Sequence, residues 1–409
     1  MRNIIFTAPF PMETTMLFAQ ALRGLSDIRL LGVFQKAPTG PARGWFDDLV
    51  LVDNALDPEE IVRGCRILQD RYGQIHRLLG ILEDLQEQVA TAREVLGLEG
   101  PSLEVTRNFR DKGRMKSVLR EAGLPTAAHA YVREERDAWE LANRVGFPLI
   151  IKPPAGAGSR ATLKVEDAQQ LTRTLAEIKP GAERVWLAEE FLSGREFTWE
   201  TVTIGGMPVF ESIGRYYPGP LDVVRNDWMQ WIVVLPRDIS GPEFDDVKRV
   251  GRKTISALGL CEGMTHMEWF RRPDGRMAIG EIAARPPGAQ IVRLMSWAHD
   301  TDLHRAWARA VVDKGFDGPF ERKYAVGVAF LRGVGKGRVA RIEGLDLAQK
   351  KMGELVVQSR LPTLGQPKAG GYEGEGWAIV RHPDTAVVEQ AVLDLVRTVK
   401  VHYLSLIHI

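Results

Sequence analysis

Met264-Thr265-His266-Met267-Glu268-Trp269-Phe270, Arg271-Arg272-Pro273-Asp274-Gly275-Arg276 and Met277-Ala278-Ile279-Gly280-Glu281-Ile282-Ala283-Ala284-Arg285 form the stretch on which the reading turns. Two largely apolar segments flank Asp-Gly, a strong short-range hairpin signal. With Asp274-Gly275 as a two-residue turn, Glu268 falls opposite Glu281, their β-carbons about 4.5–5.5 Å apart. Like charges so placed repel, and beside Trp269, Phe270, Ile279 and Ile282 they are costly unless a cation lies between them. A hard divalent ion completed by phosphate oxygens, Mg²⁺ in the usual case, answers that need. A solvated hairpin tolerating two acids is the plainer alternative. Arg285, just past the second strand and before Pro286-Pro287-Gly288, is placed to stabilise an anionic intermediate or a transferring phosphoryl group.

Working outward, Leu149-Ile150-Ile151 runs into Lys152 and then Pro153-Pro154-Ala155-Gly156-Ala157-Gly158-Ser159-Arg160. Small residues let backbone N–H groups approach phosphate oxygens, and a lysine at the loop's base adds a point charge. Taken alone, this reads equally as a flexible hairpin with a surface lysine. The apolar Val185 to Ala188 precedes Glu189-Glu190-Phe191-Leu192-Ser193-Gly194-Arg195-Glu196. A linker there can offer Leu192 backbone groups to a purine edge, with Glu189 accepting from the exocyclic amine and Glu196 from ribose hydroxyls. Its alternative is an acidic turn facing solvent.

The rest of the chain supplies the frame. Ile4-Ile5-Phe6, Ile28 to Phe34 and Leu49 to Val52 read as buried strands, alternating with helices over Thr14 to Leu25, Pro58 to Tyr72 and Leu85 to Leu96. Asp57 and Pro58 are cap and first residue of the second. Alternation of this kind favours a parallel sheet with crossover helices. Another helix is expected over Asp111 to Ala122, short strands from Val326 onward, and a last helix from Thr385 to Val399. The closing apolar residues 404–409 receive no assignment. Arg215 to Pro220, near Trp228 and Trp231, reads as a pocket wall or as a packed aromatic cluster.

Composition excludes much. The 409 residues carry a net charge of +1, which gives no electrostatic reason for nucleic-acid or membrane-surface binding. Two cysteines, Cys65 and Cys261, cannot build a disulfide framework and suit a reducing compartment. No apolar run approaches the ~18 residues of a membrane span, so a cytoplasmic protein is expected. A P-loop, a G-x-S-x-G elbow and a G-x-G-x-x-G after the first strand are all missing, and His266-Met267-Glu268 has no C-x-x-C to make a deaminase zinc site.

In order and spacing, Asp111-Lys112, Lys152 with its loop, Glu189 to Glu196, Glu268 and Glu281-Ile-Ala-Ala-Arg285 resemble the ATP-grasp superfamily of ADP-forming carboxylate–amine ligases. The pattern is closest to bacterial L-amino-acid (dipeptide) ligases. The resemblance implies an α/β protein in three parts: a pre-grasp α/β domain over 1–106, an ATP-grasp domain over 107–322 with a lid at about 126–195, and an α+β extension over 323–409. It implies ATP contacts from Lys112, Lys152, Gly156, Gly158, Ser159, Glu189, Glu190, Phe191, Leu192 and Glu196. It places Mg²⁺ (or Mn²⁺) on Glu268 and Glu281, Arg285 at the reacting phosphoryl group and His266 on the substrate side. Many relatives have an asparagine where this chain has Ala283, which leaves a third side-chain ligand open. The implied reaction joins small-molecule carboxylate and amine substrates of amino-acid type through an acyl phosphate, with neither nucleic acid nor membrane as partner and a homodimer left open. A carboxylating or formate-activating enzyme of purine-synthesis or biotin-carboxylase type, and a non-catalytic nucleotide-binding module, are the rivals.

Overall fold

A computed structural model describes residues 1–156 and 161–404. Ala157 to Arg160, and with them the expectations on Gly158 and Ser159, lie outside the described residues, as does 405–409.

The amino-terminal third is a four-stranded parallel sheet in the order Asp48–Leu51, Ile28–Phe34, Arg2–Ala8, Ile75–Leu79. The first three strands fall where the apolar runs predict them. The fourth has no such signature, because His76 and Arg77 interrupt its apolar residues. Helices Glu13–Arg23, Pro58–Tyr72 and Gln86–Leu96 cross between or follow the strands. The second starts as its sequence dictates: Asp57 accepts from the Glu59 N–H, and Pro58 gives up no donor that the first turn needs.

A second, antiparallel sheet runs His129–Val132, Trp186–Glu190, Leu149–Lys152, Leu163–Val165. Helices Glu135–Val145 and Ala168–Ile178 bury Leu141, Leu171 and Leu175 with its strands in one apolar cluster. The third sheet has eight antiparallel strands, from Met277–Ala283 and Gly263–Arg271 through Arg195–Ile204, Met207–Tyr217 and Trp231–Leu235 to Ala325–Leu331, Gly376–His382 and Val356–Arg360. Residues beyond 323 are therefore not set apart from the central sheet. They give it three strands, and the helix Thr385–Thr398 packs on it through Val388, Val392 and Leu395. The cleft lies between the second sheet and the 263–283 end of the third, with helix Lys112–Glu121 beside it.

Candidate functional site

Glu268 pairs with Glu281 as the hairpin rule requires, but by a different route. The strands stop at Arg271 and Met277, and the Arg272 N–H reaches the Arg276 carbonyl at 2.8 Å across a loop in which Pro273 and Asp274 are central and Gly275 takes φ 81°. This longer turn alone would shift the register by one. A bulge between Glu268 and Trp269, opposite Gly280, shifts it back. Two departures from the simple hairpin thus cancel at the glutamates.

The same pairing brings further polar side chains to one sheet face. Residues two apart on a strand share a face, so Glu196, Thr198 and Glu200 project together. Glu268 lies across from Thr198, and His266 lies between Glu200 and Ala283. His266 Nδ1 is 3.0 Å from Glu200 Oε1, its Nε2 3.3 Å from the Tyr216 hydroxyl and 3.7 Å from Glu268. Burial opposes charge on this ring, yet Glu200 and Glu268 outweigh it and hold the imidazolium up to a pKa of about 9. Glu196 is pushed toward its neutral form instead: burial, then Glu268, Glu281 and Asp222, raise its carboxyl well above the usual range.

Three lysines face these acids. Asp111 caps helix Lys112–Glu121 through the Gly113 and Arg114 N–H groups and accepts from the Tyr131 hydroxyl at 2.6 Å, which fixes the first turn. Lys112 Nζ lies 3.6 Å from Glu281 and donates to the Gly156 carbonyl at 2.8 Å. Lys152, at the end of its strand, lies 2.8 Å from Glu189 and 4.0 Å from Glu281. Lys116, one helical turn beyond Lys112, lies 3.5 Å from the other Glu189 oxygen and donates to the Gly280 carbonyl. The charges alternate: Lys112, Glu281, Lys152, Glu189, Lys116. Burial resists ionisation of Glu281, but Lys112, Lys152 and Lys116 hold its carboxyl down to about 2. Burial likewise resists charge on Glu189, and Lys116 and Lys152 bring it below the usual range. The countercharge that sequence reasoning asked of a metal ion is thus supplied in part by lysines.

On the linker, Glu189 and Leu192 are buried, whereas the Glu190 carboxylate pairs with Arg272 at 2.8 Å. Lys164 stands 4.3 Å above the Phe191 ring. Gly194 is obligatory: at φ 139° a Cβ would fall 2.2 Å from the Arg271 carbonyl oxygen. Arg285 donates through Nε to Glu83, which also holds Arg110 at 2.6 Å. The arginine is therefore anchored from the amino-terminal region.

All twelve described candidates, Lys112, Lys152, Gly156, Glu189, Glu190, Phe191, Leu192, Glu196, His266, Glu268, Glu281 and Arg285, border one cavity of about 210 Å³. Sequence reasoning missed Lys116, Glu200 and Glu83. The first two carried a signal, the four-residue helical spacing of Lys116 from Lys112 and the four-residue spacing of Glu200 from Glu196, two repeats along one strand face. Glu83 carried none, since it reaches the site from 202 residues before Arg285.

Residues 117–294 match the model of the ATP-grasp domain. D-alanine–D-alanine ligase B of Pseudomonas putida is 31% identical over 243 residues, 59% of this chain and 71% of that enzyme. The chain belongs to the ATP-grasp family. The L-arginine-specific L-amino acid ligase of Bacillus subtilis is 24% identical over 257 residues, and the match spans 61% of each protein, about three fifths of that relative's length. The crystal structure of an L-amino acid ligase from Bacillus licheniformis superposes with a TM-score of 0.80 at 18% identity, covering 99% of both chains. The ATP-grasp fold therefore extends over nearly the whole chain, as the order of motifs implied. Among the described residues no helix is long and apolar enough to cross a membrane.

Proposed function

We propose that this ATP-grasp protein is an ADP-forming carboxylate–amine ligase acting on amino-acid-type substrates. The observation that carries the reading is the alternating lysine–glutamate array beside the Glu268–Glu281 pair, because it sets phosphate-binding cations and hard anionic ligands on one cavity. Lys112 and Lys152 take the nucleotide phosphates, with the Gly156 backbone beside them. Glu189 accepts from the adenine amino group, the 190–192 linker backs the base, and Glu196 meets the ribose.

Glu268 and Glu281 fit a hard divalent ion by donor type. Among the described residues no three His, Cys, Asp or Glu side chains are arranged to hold a metal alone, so phosphate and water oxygens would complete the shell. Bound Mg²⁺ would supply neutralisation of phosphate charge. The substrate carboxylate attacks the γ-phosphorus, releasing ADP and forming an acyl phosphate; the amine then displaces phosphate. Arg285, its guanidinium fixed by Glu83, offsets negative charge on the transferring group. His266, with Glu200 behind it, faces the substrate side. The names of the relatives, amino-acid ligases and D-alanine–D-alanine ligases, support the substrate class.

Phosphate release with Mg–ATP across amino acids, alone and in pairs, tests the proposal, with bicarbonate and formate as parallel arms. ADP is the expected nucleotide product, and hydroxylamine should trap a hydroxamate that requires both ATP and the carboxylate. AMP with pyrophosphate, or turnover supported only by bicarbonate or formate, would overturn it.

A further inference from the structure

Lys116 has no contact role in the reading above, yet it is the most deeply buried of the three lysines, 0% exposed. Lys112 and Lys152 border the cavity, where a polyanion can reach them. Lys116 instead joins the two walls, donating to the Gly280 carbonyl on one sheet and lying 3.5 Å from Glu189 Oε1 on the other. Glu189 thus has a lysine on each oxygen, Lys152 on Oε2 at 2.8 Å and Lys116 on Oε1. Its Oε1 is buried and accepts no hydrogen bond, so the nearby Lys116 charge is what offsets the charge on that oxygen.

Phosphates entering the cavity draw on the charge of Lys152, the nearer partner of Glu189. A buried carboxylate that loses its counter-charge is destabilised, and nucleotide binding would bear that penalty. Lys116 is fully buried and does not border that cavity, so it keeps its place beside Glu189.

We propose that Lys116 is a positioning residue that holds Glu189 as a charged acceptor while nucleotide phosphates engage Lys152, and so sets the preference for a 6-amino over a 6-oxo purine. This rests on the reading of Glu189 as the base acceptor. A carboxylate accepts from an amino group and repels a carbonyl oxygen, so the preference depends on its charge.

The test is equilibrium binding of Mg–ATP and Mg–GTP to wild type, Lys116→Gln, Glu189→Gln and the double variant. Loss of one charge-assisted contact predicts about tenfold weaker Mg–ATP binding for Lys116→Gln and a narrowed ATP:GTP ratio. In the Glu189→Gln background the same substitution should change nothing further, because Lys116 acts through Glu189. If Lys116→Gln does not fold, the double variant, which lacks both charges, decides: binding equal to Glu189→Gln supports the proposal and weaker binding overturns it. An unchanged ratio in Lys116→Gln, or equal losses in both backgrounds, also overturns it. Failure of Glu189→Gln itself to narrow the ratio would sink the base-acceptor reading and the proposal together; a narrowed ratio there with no effect of Lys116→Gln sinks the proposal alone.

Discussion

In the parallel sheet of residues 2–79, Ile4, Ile5, Phe6, Leu30, Leu31 and Val33 have no exposed surface. In the cleft, Lys112, Lys116, Glu189 and Glu200 are nearly as deeply buried, and each carries a formal charge. The sheet gains roughly 25 cal/mol per Å² of apolar area removed from water, a term indifferent to which neighbour covers which. The cleft has no such freedom. Its charges are tolerable only because each lies beside an opposite one, so removal of any member changes the state of the next. One region tolerates substitution by size, the other only by charge pattern.

The largest expected effect tests the first half of that contrast. Leu30→Ala should lower stability by about 2–5 kcal/mol through lost transfer energy and a cavity, read by urea unfolding. Mg–ATP affinity, measured well below the midpoint, should remain within about twofold of wild type. A specific loss of nucleotide binding would show that the sheet and the cleft are not separable.

Glu281→Gln tests the second half. As one of two carboxylate ligands in the proposed site, its loss should reduce turnover by about 10²–10³-fold and shrink the thermal shift given by Mg–ATP. Its effect on the nucleotide-free protein distinguishes two physical pictures. If repulsion from Glu268 dominated, removing the charge would stabilise the fold. The structure instead surrounds Glu281 with Lys112 and Lys152 and holds its carboxyl down to about 2, below its unfolded value. A depressed carboxyl contributes stability above the unfolded pKa and loses it as pH falls through the folded one. The glutamine variant should therefore melt below wild type at pH 7, with the gap closing toward pH 2. A variant that melts higher would restore repulsion as the governing term.

How legible each region was in the sequence follows from the same difference. Apolar periodicity marks what water leaves, so Ile28–Phe34 and the helix capped by Asp57 could be placed directly. Ile75–Leu79 could not, because His76 Nδ1 accepts from the Asn3 N–H and Arg77 reaches the Val311 carbonyl, long-range partners with no local trace. In the cleft, residues close together in the chain were legible: Glu189 with Glu196 across a short linker, and Glu268 opposite Glu281 across one turn. The Glu268–Glu281 pairing was reached through a turn one residue too tight, rescued by a bulge that Asp-Gly does not announce. Charges that come from different elements meet through tertiary closure: Glu83 on Arg285 left no local trace, and Lys116 between Gly280 and Glu189 left only its spacing from Lys112.

The smallest effect lies where the two kinds of burial meet. His129 pairs across its strand with Glu189, and the ring is buried. Arg120 Nη2 lies 2.7 Å from Nδ1 and Ser117 Oγ 3.2 Å from Nε2. A guanidinium can only donate, so Nδ1 must accept and the proton sits on Nε2, facing Ser117. Protonating Nδ1 would set two cations against each other in a buried place. Burial first, then Arg120 and Lys116, hold the imidazole down to about 4, against 6.5 ordinarily. The unfolded chain therefore binds this proton at a higher pH than the folded one does. Stability is complete above about pH 6.5 and is lost as pH falls toward 4, by about 1–3 kcal/mol for this residue. His129→Gln keeps an acceptor for Arg120 and a donor for Ser117 but cannot titrate. Urea midpoints at pH 7, 5.5 and 4.5 should fall less steeply in the variant, and the difference between the curves removes the carboxylates common to both. Parallel curves would mean that the ring is already protonated or that Arg120 moves aside at no cost, and the tautomer assigned here would be wrong.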